Sequence, residues 1–375
     1  MHNASIVINK SNFIQNLQVI SGFINCNQTG GQKIKFCLPV KANAYGHGLI
    51  KMAQIAEEHV DYLAVACLNE GIILRQNGIK KPILVFGAFS KEQIHDLIIH
   101  NLEITISSNM KAKLVLDLCQ KLKLNCKVHV KVDTGMNRVG IRPENASALI
   151  DFIYNSGYME LTGVYSHLAS SDKPNDAFTH EQIKSFSKIV TWVKQLKPDT
   201  ICHLANSGGV YYYPDSYLDM VRPGISSYGY HPGDFPVNSI LNRIQPCFSL
   251  KSKVVYFKVV AKNSGISYNQ IYITGTQTRI VTIPLGYGDG YPRILSNCGE
   301  VLISGHKYTV SGAICMDMFM VDIGPNGIAY IDDEVVLIGK QGSNEITLES
   351  VAMKCQTIVY EILCRFNVRL PRIYI

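Results

Sequence analysis

Short β-branched and aliphatic runs alternate with helical apolar spacing across the first 225 residues of this chain. After a helix over Asn12–Ile24, the pattern predicts strands at Ile34–Val40, Tyr62–Ala66, Ile83–Phe86 and Glu103–Ser107. Four more are predicted at Lys127–Val132, Leu161–Ser166, Ile201–Ala205 and Leu218–Arg222. Helical spacing fills the intervals, as at Lys91–His100, Ala112–Lys123 and Glu181–Lys194. Eight strand–helix repeats point to an α/β fold, a (β/α)8 TIM-type barrel. A doubly wound open sheet is the alternative, but no nucleotide fingerprint accompanies the repeats. After about Asp234 the texture changes. Alternating stretches at Ser252–Val260, Thr278–Pro284, Val301–Ser304, Tyr308–Ile314 and Glu334–Ile338 are separated by Gly- and Asn-containing turns, with a short helix near Leu348–Lys354. We therefore expect a barrel domain over residues 1–234 and a mostly-β domain over 235–375.

Composition narrows the function classes. At 375 residues two domains are the prior, and 47% hydrophobic residues suffice for a sizeable core. The net charge of +7 is spread thinly, with no run of five basic residues, so neither nucleic acid nor a membrane surface is implied. The 11 cysteines include no Cys-x-x-Cys pair, and most lie in apolar runs, among them Cys37, Cys67, Cys126, Cys202 and Cys315. That usage argues for a reducing compartment and against a disulfide frame or a metal site. Met1–Lys10 has no charged-then-apolar signal pattern, and no apolar run reaches transmembrane length. A soluble cytoplasmic protein is the expectation.

The chemistry-bearing residues cluster where a barrel would gather them. Lys41, Asp133, His167, Asn206 with Ser207, and Gly224 all fall at or just beyond predicted strand ends, and barrel active sites form at the C-terminal ends of strands. In Val40-Lys41-Ala42-Asn43-Ala44-Tyr45-Gly46-His47-Gly48 a lysine leaves a buried strand beside glycines and a phenol. A lysine there either attaches a carbonyl cofactor, with Tyr45 and the glycines near an anion, or is the exposed residue of an ordinary strand–loop–helix joint. Lys127-Val128-His129-Val130-Lys131-Val132-Asp133 alternates strictly, which puts Lys127, His129, Lys131 and Asp133 on the inner side. The following turn brings Arg138 near Lys131, so one of these like charges is altered or paired, unless the strand end is simply solvated. His203-Leu204-Ala205-Asn206-Ser207-Gly208-Gly209 reads as a phosphate cradle, completed by Gly224-Ile225 in the next loop. His167 and Arg222, taken alone, read as structural residues rather than functional ones.

The Val40–Gly48 nonapeptide resembles the cofactor-attachment signature of bacterial alanine racemases, and the later motifs follow in that family's order over nearly the whole chain. The resemblance implies that Lys41 carries pyridoxal 5′-phosphate. Tyr45, His167, Asn206, Ser207, Arg222, Gly224 and Ile225 would surround the cofactor, Arg222 facing the pyridine nitrogen and His167 linking it to a catalytic tyrosine. Ser267-Tyr268 matches the family's second base. Arg138 would bind the substrate carboxylate beside a carbamylated Lys131. Tyr287, in Gly286–Arg293, and Met316, in Cys315-Met316-Asp317, would enclose the substrate from a partner subunit. Ala4–Ile8 would join the second domain. One departure stands out: near the C-terminus Val368 occupies the place where many relatives have a tyrosine on the cofactor phosphate.

The implied activity is racemisation of L- and D-alanine, supplying D-alanine for peptidoglycan, in a homodimer with shared sites. Inverting Cα needs a proton taken from one face and returned to the other, for which two bases, Lys41 and Tyr268, suffice. The alternatives are a racemase for another small or basic amino acid and a non-catalytic, one-domain PLP-binding protein. The Tyr268 region and the entire second domain argue against the latter.

Overall fold

Residues 3–26, 33–233 and 240–375 are described by the structure, a computed structural model. The chain divides into two units, one comprising Asn12–Ala44 and Leu49–Pro246, the other the segment up to Ser11, Tyr45–Gly48 and Cys247–Ile375. The expected boundary at Asp234 lies outside the described residues.

Eight parallel strands form a closed barrel in the first unit: Lys35–Pro39, Tyr62–Val65, Ile83–Val85, Glu103–Ile106, Cys126–Lys131, Met159–Tyr165, Ile201–His203 and Met220–Val221. Lys35 and Phe36 close the ring against Met220 and Val221. The second, third and fourth strands are buried along their whole length. Covered on both faces, such strands carry continuous apolar runs instead of clean alternation. Cys37, Tyr62, Ala64, Leu84, Ile201 and Met220 form one buried cluster among them. Helices such as Leu49–Ala56, Leu68–Gln76, Asn109–Leu122 and Ala177–Leu196 connect successive strands.

Three expectations are corrected within this unit. The eighth strand is only Met220–Val221, because Leu218 is left-handed (φ 52°) and cannot extend it. The helix expected over Lys91–His100 begins as a 3-10 turn, Lys91–Gln93, before Ile94–Ile99. Lys127, expected on the inner side with Lys131, is exposed near the N-terminal end of its strand, whereas His129 and Lys131 are buried.

The other unit is rich in antiparallel strands. Its largest sheet runs His306–Thr309, Glu300–Ile303, Glu334–Gln341, Phe248–Lys253, Ser5–Ile8 and Arg372–Tyr374, with Asn344–Ile346 paired to Glu334–Gln341. Ser5–Ile8 pairs antiparallel with Phe248–Lys253 and parallel with Arg372–Tyr374. The single strand expected over Ser252–Val260 is two. The chain leaves the large sheet after Lys253 and enters a three-stranded sheet as Tyr256–Val260, with Val254 buried at the crossing. The strand expected over Tyr308–Ile314 ends at Thr309, and Gly312, at φ 88°, turns the chain away. The helix Leu348–Lys354 forms as expected, capped by the Thr347 hydroxyl. Among the described residues no helix is long and apolar enough to cross a membrane.

Candidate active site

Lys41 follows the first barrel strand by two residues, and the chain then makes one left-handed turn. Ala42, Asn43, Ala44 and Tyr45 all have φ between 52° and 55°. Left-handed backbone crowds Cβ against the following carbonyl at roughly 1–2 kcal/mol per residue, so the turn needs external support. Asn43 Oδ1 accepts the Leu49 N–H at 2.8 Å. Tyr45 is buried, its ring 6.2 Å from that of Tyr360, and burial pushes its phenol up.

Arg222 ends a buried chain of hydrogen bonds through the barrel. Its NH1 donates to His203 Nδ1 at 2.7 Å, and its NH2 to the carbonyls of Ser166 (2.7 Å) and Leu204 (2.9 Å). His203 Nε2 lies 3.0 Å from His129 Nδ1, and His129 Nε2 lies 2.7 Å from Glu103 Oε2. The proton positions follow from chemistry. A guanidinium only donates, so His203 Nδ1 accepts and its hydrogen sits on Nε2. That hydrogen occupies His129 Nδ1, which leaves the His129 hydrogen on Nε2, directed at Glu103. Both imidazoles are therefore neutral. Burial, then Arg222, holds the His203 pKa well below its usual value. Room for this chain depends on Gly163, where a Cβ would stand 2.2 Å from His129 Nδ1. The Tyr165 ring stacks on His203 at 4.7 Å and its hydroxyl meets Thr105 Oγ1 at 2.8 Å.

Arg222 NH2 also reaches His167 Nδ1 at 3.4 Å. The two NH2 hydrogens already serve the Ser166 and Leu204 carbonyls, so this contact is a shared one. A guanidinium has no acceptor to meet an N–H at Nδ1, so the His167 hydrogen sits on Nε2. Burial and Arg222 keep this imidazole neutral as well. Gln182 steadies the segment by donating to the His167 carbonyl at 3.0 Å.

The loops after the seventh and eighth strands meet. The Ser226 N–H donates to Ser207 Oγ at 3.4 Å, placing Asn206-Ser207 beside Gly224-Ile225. Asn206 caps the short helix Ser207–Tyr212 by accepting the Gly209 N–H at 3.0 Å, and it also accepts from Ser171 Oγ at 2.6 Å. Gly208 is needed for that approach, since a Cβ would come within 2.2 Å of the Ser171 carbonyl oxygen. Ser226 Oγ is buried and has no hydrogen-bond partner among the described residues.

Lys131 is only 7% exposed. Its Nζ donates to the Val132 carbonyl at 3.1 Å and lies 5.1 Å over the Tyr165 ring. Burial, then the Arg222 charge, pushes its pKa down to about 7. Arg138 is exposed, and with Asp133, Asn137, Val139, Gly140 and Arg142 it lines a cavity of about 320 Å³. Asp133 shapes this turn by accepting the N–H groups of Gly135 and Asn137, each at 3.0 Å.

In the other unit, three sequence motifs come together. The Tyr287 N–H donates to the Cys315 carbonyl (3.1 Å) and Gly288 N–H to that of Met316 (2.8 Å). Ser267 Oγ donates to the Ala313 carbonyl at 2.6 Å. The segment thus presents Tyr268 (68% exposed), Tyr287 and Met316 outward. Arg369 pairs with Asp289 at 3.3 Å and Asp317 at 2.8 Å, while the neighbouring Val368 is 89% exposed. Glu103 and His129 acquired no role from the sequence. The available signal was a glutamate opening an apolar barrel strand, because a carboxylate buried there requires donors.

Two family models match the chain: "Alanine racemase, N-terminal domain" over residues 8–232 and "Alanine racemase, C-terminal domain" over 247–374. The alanine racemase of Halothermothrix orenii is 39% identical over 346 residues, covering 92% of this chain and 91% of its own length. Alanine racemase 2 of Caldanaerobacter subterraneus subsp. tengcongensis is 36% identical over 360 residues, covering 95% and 92%. The solved structure of alanine racemase from Clostridium difficile 630 superposes with a TM-score of 0.93 at 36% identity, covering 100% of this chain and 96% of that one.

Proposed function

Because the chain belongs to the alanine racemase family, we propose that it interconverts L- and D-alanine on pyridoxal 5′-phosphate held by Lys41, supplying D-alanine for peptidoglycan. The barrel unit serves as the cofactor domain and the strand-rich unit, which includes Ser5–Ile8, as the β domain. The observation that carries the reading is the anchored arginine. Arg222 NH1 and NH2 are occupied, but its Nε–H has no hydrogen bond among the described residues. A donor held this rigidly fits a ring nitrogen that accepts. The unpartnered Ser226 Oγ, beside Ser207, fits a phosphate oxygen in the same way.

When bound, pyridoxal phosphate supplies a conjugated ring that withdraws electrons from Cα of the attached amino acid and so acidifies Cα–H. Lys41 Nζ and Tyr268 Oη act on opposite faces of Cα, one accepting the proton while the other delivers one, with roles exchanged in the reverse direction. Burial pushes Arg222 down only to about 10, so it keeps its proton at neutral pH. It would hold the ring nitrogen unprotonated, which weakens electron withdrawal and limits transamination. His167, neutral and carrying its hydrogen on Nε2, would offer that hydrogen to the tyrosine base and stabilise the phenolate. Arg138 would bind the substrate carboxylate in its fork, aligned by a carbamate on Lys131, with Tyr287 and the Met316 main-chain nitrogen closing the site. Tyr45, Asn206, Ser207, Gly224 and Ile225 would hold the phosphate. Val368 contributes no hydrogen-bonding group there.

The protein acts as a homodimer in which each Lys41 works with Tyr268 of the partner subunit. Tyr268, Ile271, Ile273, Tyr287, Met316 and Met318 are all exposed on the C-terminal unit, a set of large apolar side chains suited to a partner surface. Eleven free cysteines suit a reducing cytoplasm. A chiral assay across the amino acids tests the activity: L-alanine should racemise fastest. Preference for a basic amino acid would overturn the substrate, and cofactor binding without any racemisation would overturn the enzyme.

A further inference from the structure

Ala42 to Tyr45 is the longest run of left-handed non-glycine residues in the described chain, and it immediately follows Lys41. Its first residue has an unusual support. The Ala42 N–H donates to Glu70 Oε1 at 2.7 Å, and the other oxygen of that carboxylate, Oε2, accepts the Ala66 N–H at 2.8 Å. Ala66 directly follows the second barrel strand, Tyr62–Val65. One side chain therefore ties together the exits of two adjacent strands.

Two details set this apart from an ordinary surface contact. The N–H of Ala42 shares a rigid peptide plane with the carbonyl of Lys41, so holding it fixes ψ of Lys41 and the direction in which that side chain leaves the backbone. Glu70 is itself placed well, as the third residue of the helix Leu68–Gln76. A carboxylate is favoured there by the helix N-terminus, and the preceding cap residue, Cys67, makes no side-chain cap. Both oxygens are used, each on a different segment, and only a carboxylate accepts on both sides without presenting a donor.

We infer that Glu70 is a positioning residue for the reaction: it clamps the left-handed turn so that Lys41 meets Cα from one fixed direction. The inference rests on the assignment of Lys41 above. Glu70→Gln keeps the shape but turns an N–H group toward one of the two donors. Glu70→Leu removes both acceptors. The full-length holoprotein is compared with both variants by peptide-level hydrogen exchange, steady-state kinetics and thermal unfolding.

In Glu70→Gln the peptide covering Val40–Gly48 should exchange about tenfold faster, the scale of one lost charge-assisted hydrogen bond, with thermal stability nearly unchanged. kcat should fall by about tenfold while KM for alanine stays within about twofold, because the substrate's own contacts are intact. Glu70→Leu should be worse on both readouts. Unchanged exchange in both variants overturns the clamp. Faster exchange at wild-type kcat reduces Glu70 to a structural contact and equally overturns the inference. Should the wild type fail to racemise alanine, the functional reading falls, while the exchange comparison still decides whether the clamp exists.

Discussion

Stripping CO2 from the protein is expected to silence it through Lys131. Carbamylation requires the free amine: Nζ attacks CO2, the N–C bond forms, and one amine proton leaves to solvent. With its pKa pushed down to about 7, Lys131 is about nine-tenths free base at pH 8, roughly 300-fold more than an ordinary lysine. The charge environment then favours the product. Arg222 and Arg138, which both depress the ammonium form, attract a carbamate anion, whereas Asp133 and the burial of the site oppose it. For the unmodified lysine the linkage runs the other way. Its folded pKa lies below its unfolded one, so protonation disfavours folding. The penalty is on the order of 5 kcal/mol. It is full below about pH 7 and fades as pH rises toward 10.5. Prolonged dialysis in CO2-free buffer at pH 8 should therefore lower activity by at least about tenfold as Arg138 loses its partner, and bicarbonate should restore it. A carbamate signal should appear by NMR with labelled bicarbonate and vanish in Lys131→Met. Above the acid range, Lys131→Met should also be more stable to urea than CO2-free wild type, most at pH 6 and least at pH 10. Full activity with an unmodified Lys131, established by native mass measurement, would refute the argument.

Borohydride reduction followed by peptide mapping should place the pyridoxyl group on Lys41, and its recovery on another lysine would sink the mechanism. Lys41→Ala and Tyr268→Phe homodimers should each be nearly inactive. Refolded together in equal amounts, they should regain about a quarter of wild-type sites, since random pairing under two-fold symmetry gives half heterodimers with one intact site each. Heterodimers confirmed by mass but inactive would exclude shared sites. Histidine-selective nitrogen NMR should find His129 and His203 neutral with their hydrogens on Nε2. Glu103→Leu should destabilise by about 1–3 kcal/mol by leaving the His129 Nε2–H without an acceptor; either histidine found protonated would break the proposed order of hydrogens.

The repeat of eight largely apolar runs was enough to read the barrel, because strands covered on both faces are mostly apolar and the helices between them are amphipathic. Polar residues such as Glu103, His129 and Lys131 enter such strands where partners receive them. The same strand pattern put Lys41, Asp133, His167, Asn206 with Ser207, and Gly224 at or just beyond strand ends. Other features depend on partners far apart in sequence. Locally Glu103 shows only that it opens an apolar strand; its partners are His129, 26 residues on, and the path through His203 to Arg222. Alternation likewise put Lys127 and Lys131 on one face, but depth along the strand left the first in solvent and the second buried. The split at Lys253 was invisible to a β-branched pattern that runs on unbroken, since the switch between sheets is set by the pairing of Val254 with Asp333 and of Val255 with Thr282. Sequence determined residue chemistry and local periodicity; burial, tautomer and strand partner were decided by the tertiary structure, because each depends on the low-dielectric surroundings that only distant segments provide.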